Sequence, residues 1–518
     1  MKIVSLKIEN FRGYREPIEI KFDDLTVFVG KNDIGKSTIL EALDIFFNDG
    51  KGTVKMEKND VNVLEAQNEN LETVISICFS ELPDKIIIDS SVETTLQNEY
   101  LLNSEGNLEV VKRYKNGGTA KVFVKANHPS NTKCDNLLLI KNSDLKKIIK
   151  QENIKCDNQT INAELRKAIW DNYKEDLKLT EIEIDISKED AKKIWDKLSY
   201  YMPVYSLFQS DRKNSDGDDE VQDPLREAVK QILLEPKLQA KLCEIANEVN
   251  NKLKEVSTRT LEKIREMDPN IANSLNPVIP STENLKWSDV FKGVSISGDD
   301  NIPINKRGSG VKRLVLLNFF RAEAERRTQS EGETGVIYAI EEPETSQHSD
   351  NQCMLIEAFK TLASNKKTQV ILTTHSSNIV RQLEFENLRL ISYNEKGNKE
   401  VLKVIPGQLN YPSLNEVNYV AFEDISEEYH DELYSYIEYQ NWKNDYILGK
   451  ATRLYKKIKK DGTILEQQIV LTEYIRHQIH HPENQLNVRY TREELKSSIE
   501  LMRKFIQDKR SNGIIDEP

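Results

Sequence analysis

The sequence predicts an α/β protein built on a mixed, largely parallel sheet whose strands come from two distant stretches of the chain. Antiparallel strands are expected at its edge and helical regions elsewhere. Three stretches carry this expectation. Residues 25–29, LTVFV, read as a short buried strand and run through a glycine loop into residues 36–47, KSTILEALDIFF. There Ile39, Leu40, Leu43, Phe46 and Phe47 recur at helical spacing. Residues 335–344, GVIYAIEEPE, form an apolar strand that ends abruptly in acid, and residues 368–380, TQVILTTHSSNIV, form another that ends in Thr373, Thr374, His375 and Ser376. Parallel strands that end together build one crevice at their carboxyl ends.

The glycine loop is the first functional element. In FVGKNDIGKSTIL, residues 28–40, the spacing Gly30, Gly35, Lys36, Ser37 fits the phosphate-loop pattern, and it lies between a strand and a helix as that pattern requires. Gly30 and Gly35 let the backbone bend so that successive N–H groups point at a phosphate, and the helix N-terminus adds partial positive charge. Lys36 would reach the outer phosphates of ATP, Ser37 would ligate Mg²⁺, and Asn32 and Thr38 complete the nucleotide-facing set. Glu341 and Glu342 supply the second half of such a site. One carboxylate would stand near the metal's water shell and the other near the attacking water. His375 would sense the terminal phosphate, although a single histidine in a turn carries no function by itself. A third element, RGSGVKRL at residues 307–314, puts Ser309 and Gly310 at the start of a helix. It reads either as a second phosphate site, suited to nucleotide held by another subunit, or as an ordinary N-cap.

Composition narrows the class. The chain has 518 residues, 38% hydrophobic and 31% charged, which describes a soluble protein of two to four domains. No apolar run approaches the span of a bilayer, and MKIVSLKIENF alternates like a strand, so a cytoplasmic location is expected. Five scattered cysteines without a C-x-x-C pair indicate neither a disulfide framework nor a zinc site. A net charge of −12 argues against a surface coated for nucleic acid, while a local basic groove for DNA or RNA stays open.

In this order, VGKNDIGKST, GSGVKRL, IEEPE and TTHSSNIV resemble the Walker A, signature, Walker B and His-switch motifs of ABC-type ATPase heads. The opening IVSLKIENFRGY and the Glu-Glu-Pro-Glu form resemble the branch that contains RecF, the overcoming-lysogenization-defect (OLD) nucleases and anti-phage ATPases such as GajA and PtuA of Septu-type systems. The resemblance covers roughly residues 1–80 and 200–395. It implies ATP and Mg²⁺ as cofactors, with Lys36 and Ser37 on phosphate and metal, Glu341 on the metal through water and Glu342 polarising the attacking water. It further implies Ser309 and Gly310 completing a partner's site, His375 as the switch, and Gln209, in YSLFQSDR, as the Q-loop residue near the metal. Two departures stand out: Glu341 where the wider group has Asp, and TSQHS after Glu344 where Leu-His-Pro is usual, which leaves no firm equivalent for His348.

The expected domains are a first head lobe with Walker A (1–145), a Q-loop region with a helical insertion (146–284), a second lobe with the remaining motifs (285–405) and a helical C-terminal region (406–518). VISICFS, LEVVKRY and AKVFVKA, between residues 72 and 125, read as the antiparallel edge of the first lobe. Residues 145–200 read as polar and helical, 215–223 as an acidic loop and 224–267 as two helices. No Toprim signature follows the head. Instead YIRHQIHHPEN, residues 474–484, gathers histidines on the last turn of a helix that Pro482 stops. Arg476, His477, His480 and His481 admit three readings. They dock or pack a partner; or Arg476, His477 and His481 form a HEPN-like RNase centre; or His477 and His481 bind a metal. These features together lead to the expectation of an ABC-type ATPase that dimerises, or forms a higher homo-oligomer, around ATP in anti-phage defence and controls an HNH-type nuclease on a separate chain. The alternatives are a self-contained ATP-gated RNase toxin and a RecF-like DNA-repair ATPase.

Overall fold

The computed structural model describes residues 1–49, 52–88, 93–187, 192–209, 238–248, 335–345, 349–394, 396–404, 413–459 and 462–511, with isolated positions between 232 and 258. RGSGVKRL with Ser309 and Gly310, the acidic loop at 215–223, most of the expected helices at 224–267, and His348 lie outside the described residues.

In chain order come β1 (Lys2–Glu9), β2 (Ile18–Lys21), β3 (Leu25–Val29), helix α1 (Lys36–Asn48), β4 (Glu72–Ser80), β5 (Leu108–Lys115) and β6 (Lys121–Pro129). Next come α2 (Asn142–Gln151), α3 (Asn162–Asn172), β7 (Leu179–Asp185) and β8 (Val204–Phe208). Further along follow β9 (Val336–Glu341), α4 (Ser349–Ala363), β10 (Thr368–Thr374), β11 (Leu388–Tyr393) and β12 (Lys399–Lys403). The C-terminal part holds α5 (Leu414–Phe422), α6 (Glu427–Tyr439), β13 (Thr452–Ile458), β14 (Ile464–Val470), α7 (Leu471–His480) and α8 (Arg492–Ser511).

Two six-stranded sheets organise the head, an α/β arrangement. One is antiparallel in the order β2-β1-β4-β5-β6-β7, and the other is mixed in the order β12-β11-β3-β10-β9-β8. Within the second, β8, β9, β10, β3 and β11 run parallel and only the edge strand β12 is antiparallel. Its central strands are buried along their whole length, LTVFV in β3 and TQVILTT in β10, as expected of parallel strands covered on both faces. Helix α1 is the wedge between the two sheets. Its Ile39, Leu40, Leu43 and Phe46 are at most 1% exposed and share one core with Ile75 and Ile77 of β4 and Ile337, Ala339 and Ile371 of the parallel sheet. Each such side chain contributes roughly 1.5–3 kcal/mol of transfer free energy, so the loop that leads into α1 is anchored on this core. A second core lies on the far face, where Leu355, Ile356 and Phe359 of α4 and Val417 of α5 cover the sheet.

Three expectations need correction. VISICFS, LEVVKRY and AKVFVKA do not edge the parallel sheet; they are β4, β5 and β6, central strands of a separate antiparallel sheet. That sheet extends past residue 145, because LTEIEID, inside a stretch read as helical, forms β7 beside β6. The period-2 recurrence of Ile182 and Ile184 with Thr180 overrides the polar, helix-like composition around it. Likewise the C-terminal region is not wholly helical. RLYKKI and ILEQQIV pair as the hairpin β13–β14, in register from Thr452↔Val470 to Ile458↔Ile464, and the Lys459 N–H donates to the Thr463 carbonyl at its end. One of its faces packs on α7, with Tyr455, Ile469 and Tyr474 forming a small cluster. Helices α6, α7 and α8 make their own core, including Tyr429, Leu433, Ile475, Ile499 and Met502. Among the described residues no helix is long and apolar enough to cross a membrane.

Candidate functional site

The loop between β3 and α1 adopts the geometry its glycines permit. Gly30 has φ 152° and lies so close to β11 that a Cβ would stand 2.9 Å from the Ile391 carbonyl oxygen. Gly35, at φ 107°, has its carbonyl held by the Tyr14 hydroxyl at 3.0 Å. Helix α1 starts at Lys36 with no side-chain cap and no acidic residue in its first turn. Its first N–H groups therefore face the crevice as an anion site, reinforced by the helix dipole. Lys36 folds back over the loop, and its ammonium donates to the carbonyls of Gly30 (2.9 Å) and Lys31 (3.0 Å). Burial lowers its pKa, while the carboxylates of Glu342, Glu344, Asp33 and Glu341 pull the other way. Asn32 is exposed on the loop, and Thr38 is half-buried behind Ser37.

The strands then deliver the acids. In the parallel register Thr373 of β10 stands beside Glu341 of β9, and Thr374 beside Val29 of β3, so all three strands end at the loop. The Ser37 hydroxyl donates to Glu341 Oε1. Glu342 departs from the strand with φ 43°, a left-handed backbone for a non-glycine residue, and its N–H donates to the Thr373 carbonyl at 3.0 Å. Such a residue persists only where its surroundings fix it, and such positions cluster at functional sites. His375 Nδ1 lies 3.3 Å from Glu342 Oε1 and 3.4 Å from Glu344 Oε1. Glu344, absent from the sequence-based set, is buried and accepts from the Thr374 hydroxyl (2.7 Å) and the His375 N–H (2.9 Å). The signal that could have found it is its place as the last acid of Glu-Glu-Pro-Glu. A hydroxyl and a carboxylate facing each other, with two more carboxylates nearby, are the hard oxygen donors that Mg²⁺ takes. Ser37 and Glu341 thus fit that ion.

Gln209, at the end of β8, donates to Glu41 of α1 at 3.2 Å. Glu41 also binds Arg12 of the N-terminal FRGY stretch, and Arg12 reaches Asp60 at 2.7 Å. The expected Q-loop residue is thereby linked to the phosphate-loop helix one turn beyond Ser37.

The C-terminal histidines do not converge. Arg476 is held by Asp431 (3.1 Å) and Glu438 and lies over the Tyr434 ring at 4.3 Å. His480 Nε2 is 2.7 Å from the same Asp431 oxygen. Burial first, then the bonds from His480 and Arg476, set the Asp431 pKa; the bonds prevail and lower it. His477 turns toward the hairpin and stacks on Tyr455 at 5.0 Å and 23°. Burial lowers its pKa. His481 caps the helix beside Glu483 at 3.1 Å, its ring 6.5 Å from that of His477. Arg476 is thus engaged toward α6 and His477 toward β13, an arrangement suited to packing. Among the described residues no group of three His, Cys, Asp or Glu side chains is placed to hold a metal.

The profile of the AAA ATPase domain family matches residues 1–380. The chain belongs to that family. The match spans the phosphate loop, β9 and the His375 turn, so the crevice described above lies in an AAA ATPase domain. Among curated proteins, Endonuclease GajA of Bacillus cereus (strain HuB5-5) is 24% identical over 511 residues, which cover 90% of this chain and 64% of that protein. The chain therefore spans less than two thirds of this relative's length. Solved structures with a likeness include an SMC head bound to the C-winged helix domain of ScpA, 14% identical with a TM-score of 0.38, covering 78% of this chain and 97% of that one. The SMC head domain from Thermotoga maritima is 13% identical with a TM-score of 0.31, covering 78% of this chain and 100% of the other.

Proposed function

We propose that this chain binds and hydrolyses ATP as the ABC-type head of a bacterial anti-phage defence system of the PtuA kind, working in the cytoplasm and controlling a nuclease on a separate chain. The observation that carries the ATPase part is the meeting of three elements at one crevice: the uncapped start of α1 with Lys36, the Ser37–Glu341 contact, and His375 beside Glu342. In this reading Lys36 leaves the loop carbonyls for the outer phosphates, and the α1 N–H groups hold them. Ser37 and Glu341 take Mg²⁺, which when bound supplies positive charge against the phosphate oxygens. Glu342 orients the attacking water, and its left-handed backbone keeps the carboxylate off the strand axis and over the crevice. Ser309 and Gly310 complete the partner's site in a head-to-tail homodimer.

The defence role and the link to a nuclease are supported by the likeness to Endonuclease GajA. Residues 406–518 would then be the docking region, with residues 1–145, 146–284 and 285–405 as lobe, insertion and lobe. The engaged state of Arg476 and the separated histidines favour docking over RNA cleavage.

The test is purification of the chain from its native context, with its partners identified, followed by ATPase and nuclease assays on the complex and on the chain alone. A co-purifying HNH-type nuclease whose activity depends on nucleotide supports the proposal. A chain that purifies alone and cleaves RNA, or that binds duplex DNA in an ATP-dependent way with no nuclease present, contradicts it.

A further inference from the structure

Glu344 has no task in the scheme above. It follows Pro343 beyond the end of β9, with a side chain only 4% exposed. Burying a carboxylate costs several kcal/mol unless its oxygens are well partnered. Here a single oxygen, Oε1, takes both bonds, from the Thr374 hydroxyl at 2.7 Å and the His375 N–H at 2.9 Å. The other, Oε2, is buried with no hydrogen-bond partner among the described residues. A brace evolved only for stability would be expected to satisfy both oxygens. Instead both donors come from the two residues that define the His375 turn. The same Oε1 is 3.4 Å from the imidazole Nδ1, which is also 3.3 Å from Glu342 Oε1. Those ring distances sit at the outer limit of hydrogen bonding, in a pattern that tightens when a ligand closes the site.

We propose that Glu344 is the positioning residue for His375. By gripping the turn through its main chain and the neighbouring hydroxyl, it presents Nδ1 to the Glu342–Glu344 pair as the protonated ring nitrogen and leaves Nε2 for the terminal phosphate. Glu344 touches neither substrate nor water in this scheme and acts only through the ring. The inference rests on the ATPase reading of the crevice, but the placement of the ring can be measured without turnover.

The experiment compares Glu344→Ala, Glu344→Gln, His375→Ala and the Glu344→Ala/His375→Ala double variant in the full-length protein, each checked for folding by circular dichroism. Gln keeps an amide oxygen where Oε1 accepts its two bonds, so it separates acceptor geometry from charge. Glu344→Ala is expected to lower kcat by about 30-fold or more, as loss of a geometry-setting contact does, with the KM for ATP changed by less than about threefold. Gln is expected to restore kcat to within about fivefold of wild type by the same geometric argument. The double variant is expected to be no slower than His375→Ala by more than about twofold, because residues acting through one another are not additive. Independent, additive losses, or a Glu344→Ala variant whose defect lies in KM rather than kcat, overturn the proposal. Should Glu344→Ala not fold, Thr374→Val removes one donor to the same oxygen and takes its place with the same expectations.

Nitrogen-15 imidazole spectra of the nucleotide-free protein, with the His375 signal identified by its loss in His375→Ala, give the second readout. Wild type and Glu344→Gln are expected to carry the proton on Nδ1, and Glu344→Ala to lose that preference. Identical tautomer populations in wild type and Glu344→Ala overturn the proposal. If the wild type hydrolyses no ATP, the ATPase reading falls and these spectra still decide whether Glu344 positions the ring.

Discussion

Gly30→Ala adds one methyl group at the point where the phosphate loop is pressed against β11. The new Cβ would stand 2.9 Å from the Ile391 carbonyl oxygen and 3.1 Å from Ile34 Cγ2, at a backbone φ of 152°. The carbonyl is backbone and cannot swing aside, because Leu390, the residue before it, pairs with Val29 next to Gly30. Holding an L-residue in that conformation costs about 1–3 kcal/mol before the clash is counted. If the loop keeps its shape, the cost appears as lost stability; if it relaxes, the N–H groups turn away from the phosphate. The same free energy then lowers ATP affinity by about 5- to 150-fold, since about 1.4 kcal/mol is a factor of ten. Thermal unfolding without nucleotide and titration with a fluorescent ATP analogue together capture both routes. Gly335→Ala is the control, because its Cβ would meet nothing nearer than 3.4 Å and its φ is not positive. A Gly30→Ala protein with wild-type unfolding and wild-type affinity would refute the steric account of the loop.

Other consequences follow from the packing. His430 is fully buried with Nε2 2.9 Å from Ser498, and burial lowers its pKa to about 4 despite the nearby Asp431. The unfolded chain, near the free value of about 6.5, binds more protons between those two pH values, so stability is full above that window and falls as pH drops through it. At pH 5 wild type should have lost about 2 kcal/mol more than His430→Gln, relative to pH 7.5, in urea unfolding followed in the C-terminal region; parallel pH curves would contradict this. Arg166→Met should destabilise the fold by about 3–5 kcal/mol, because Arg166 Nε sits 2.6 Å from Glu99 and both side chains are at most 2% exposed. An unchanged denaturation midpoint would show that Glu99 finds another partner. With Arg476 committed to Asp431 and Glu438, the wild-type chain should not cleave RNA in EDTA, and His480→Ala/His481→Ala should leave ATP hydrolysis intact. RNA cleavage that is lost in His481→Ala would restore the RNase reading.

The parallel sheet was legible because its strands are buried on both faces and read as unbroken apolar runs. LTVFV is β3 and KSTILEALDIFF opens α1 at Lys36, where the pattern of glycines and lysine placed it. What the sequence blurred lay where composition and period disagreed. LTEIEID is rich in charge yet alternates, and it became β7 once β6 offered it a partner edge. The hairpin at Thr452–Val470 was hidden by lysines that favour helix as readily as strand, and its Tyr455 and Ile469 needed α7 to pack against. At the site, residue types announced Lys36, Ser37, Glu341, Glu342 and His375 as candidates. Glu344 was not announced, because its importance is a matter of direction: only the kink at Glu342 and Pro343 turns its carboxylate inward to the His375 turn. Gln209 joined α1 through Glu41, a contact between segments separated by 168 positions that no local pattern encodes.

The central claim is that the crevice at the ends of β3, β9 and β10 hydrolyses ATP, with Lys36 holding phosphate and Glu342 orienting water. Phosphate release and ATP-analogue binding, measured side by side on wild type, Lys36→Ala and Glu342→Gln in the presence of Mg²⁺, test it most directly. Wild type is expected to turn over ATP, Lys36→Ala to lose nucleotide binding, and Glu342→Gln to keep binding intact with turnover slowed by about a hundredfold or more, since the water loses its orienting carboxylate while the cradle remains. Wild-type turnover in Glu342→Gln, or unimpaired ATP binding in Lys36→Ala, would contradict it.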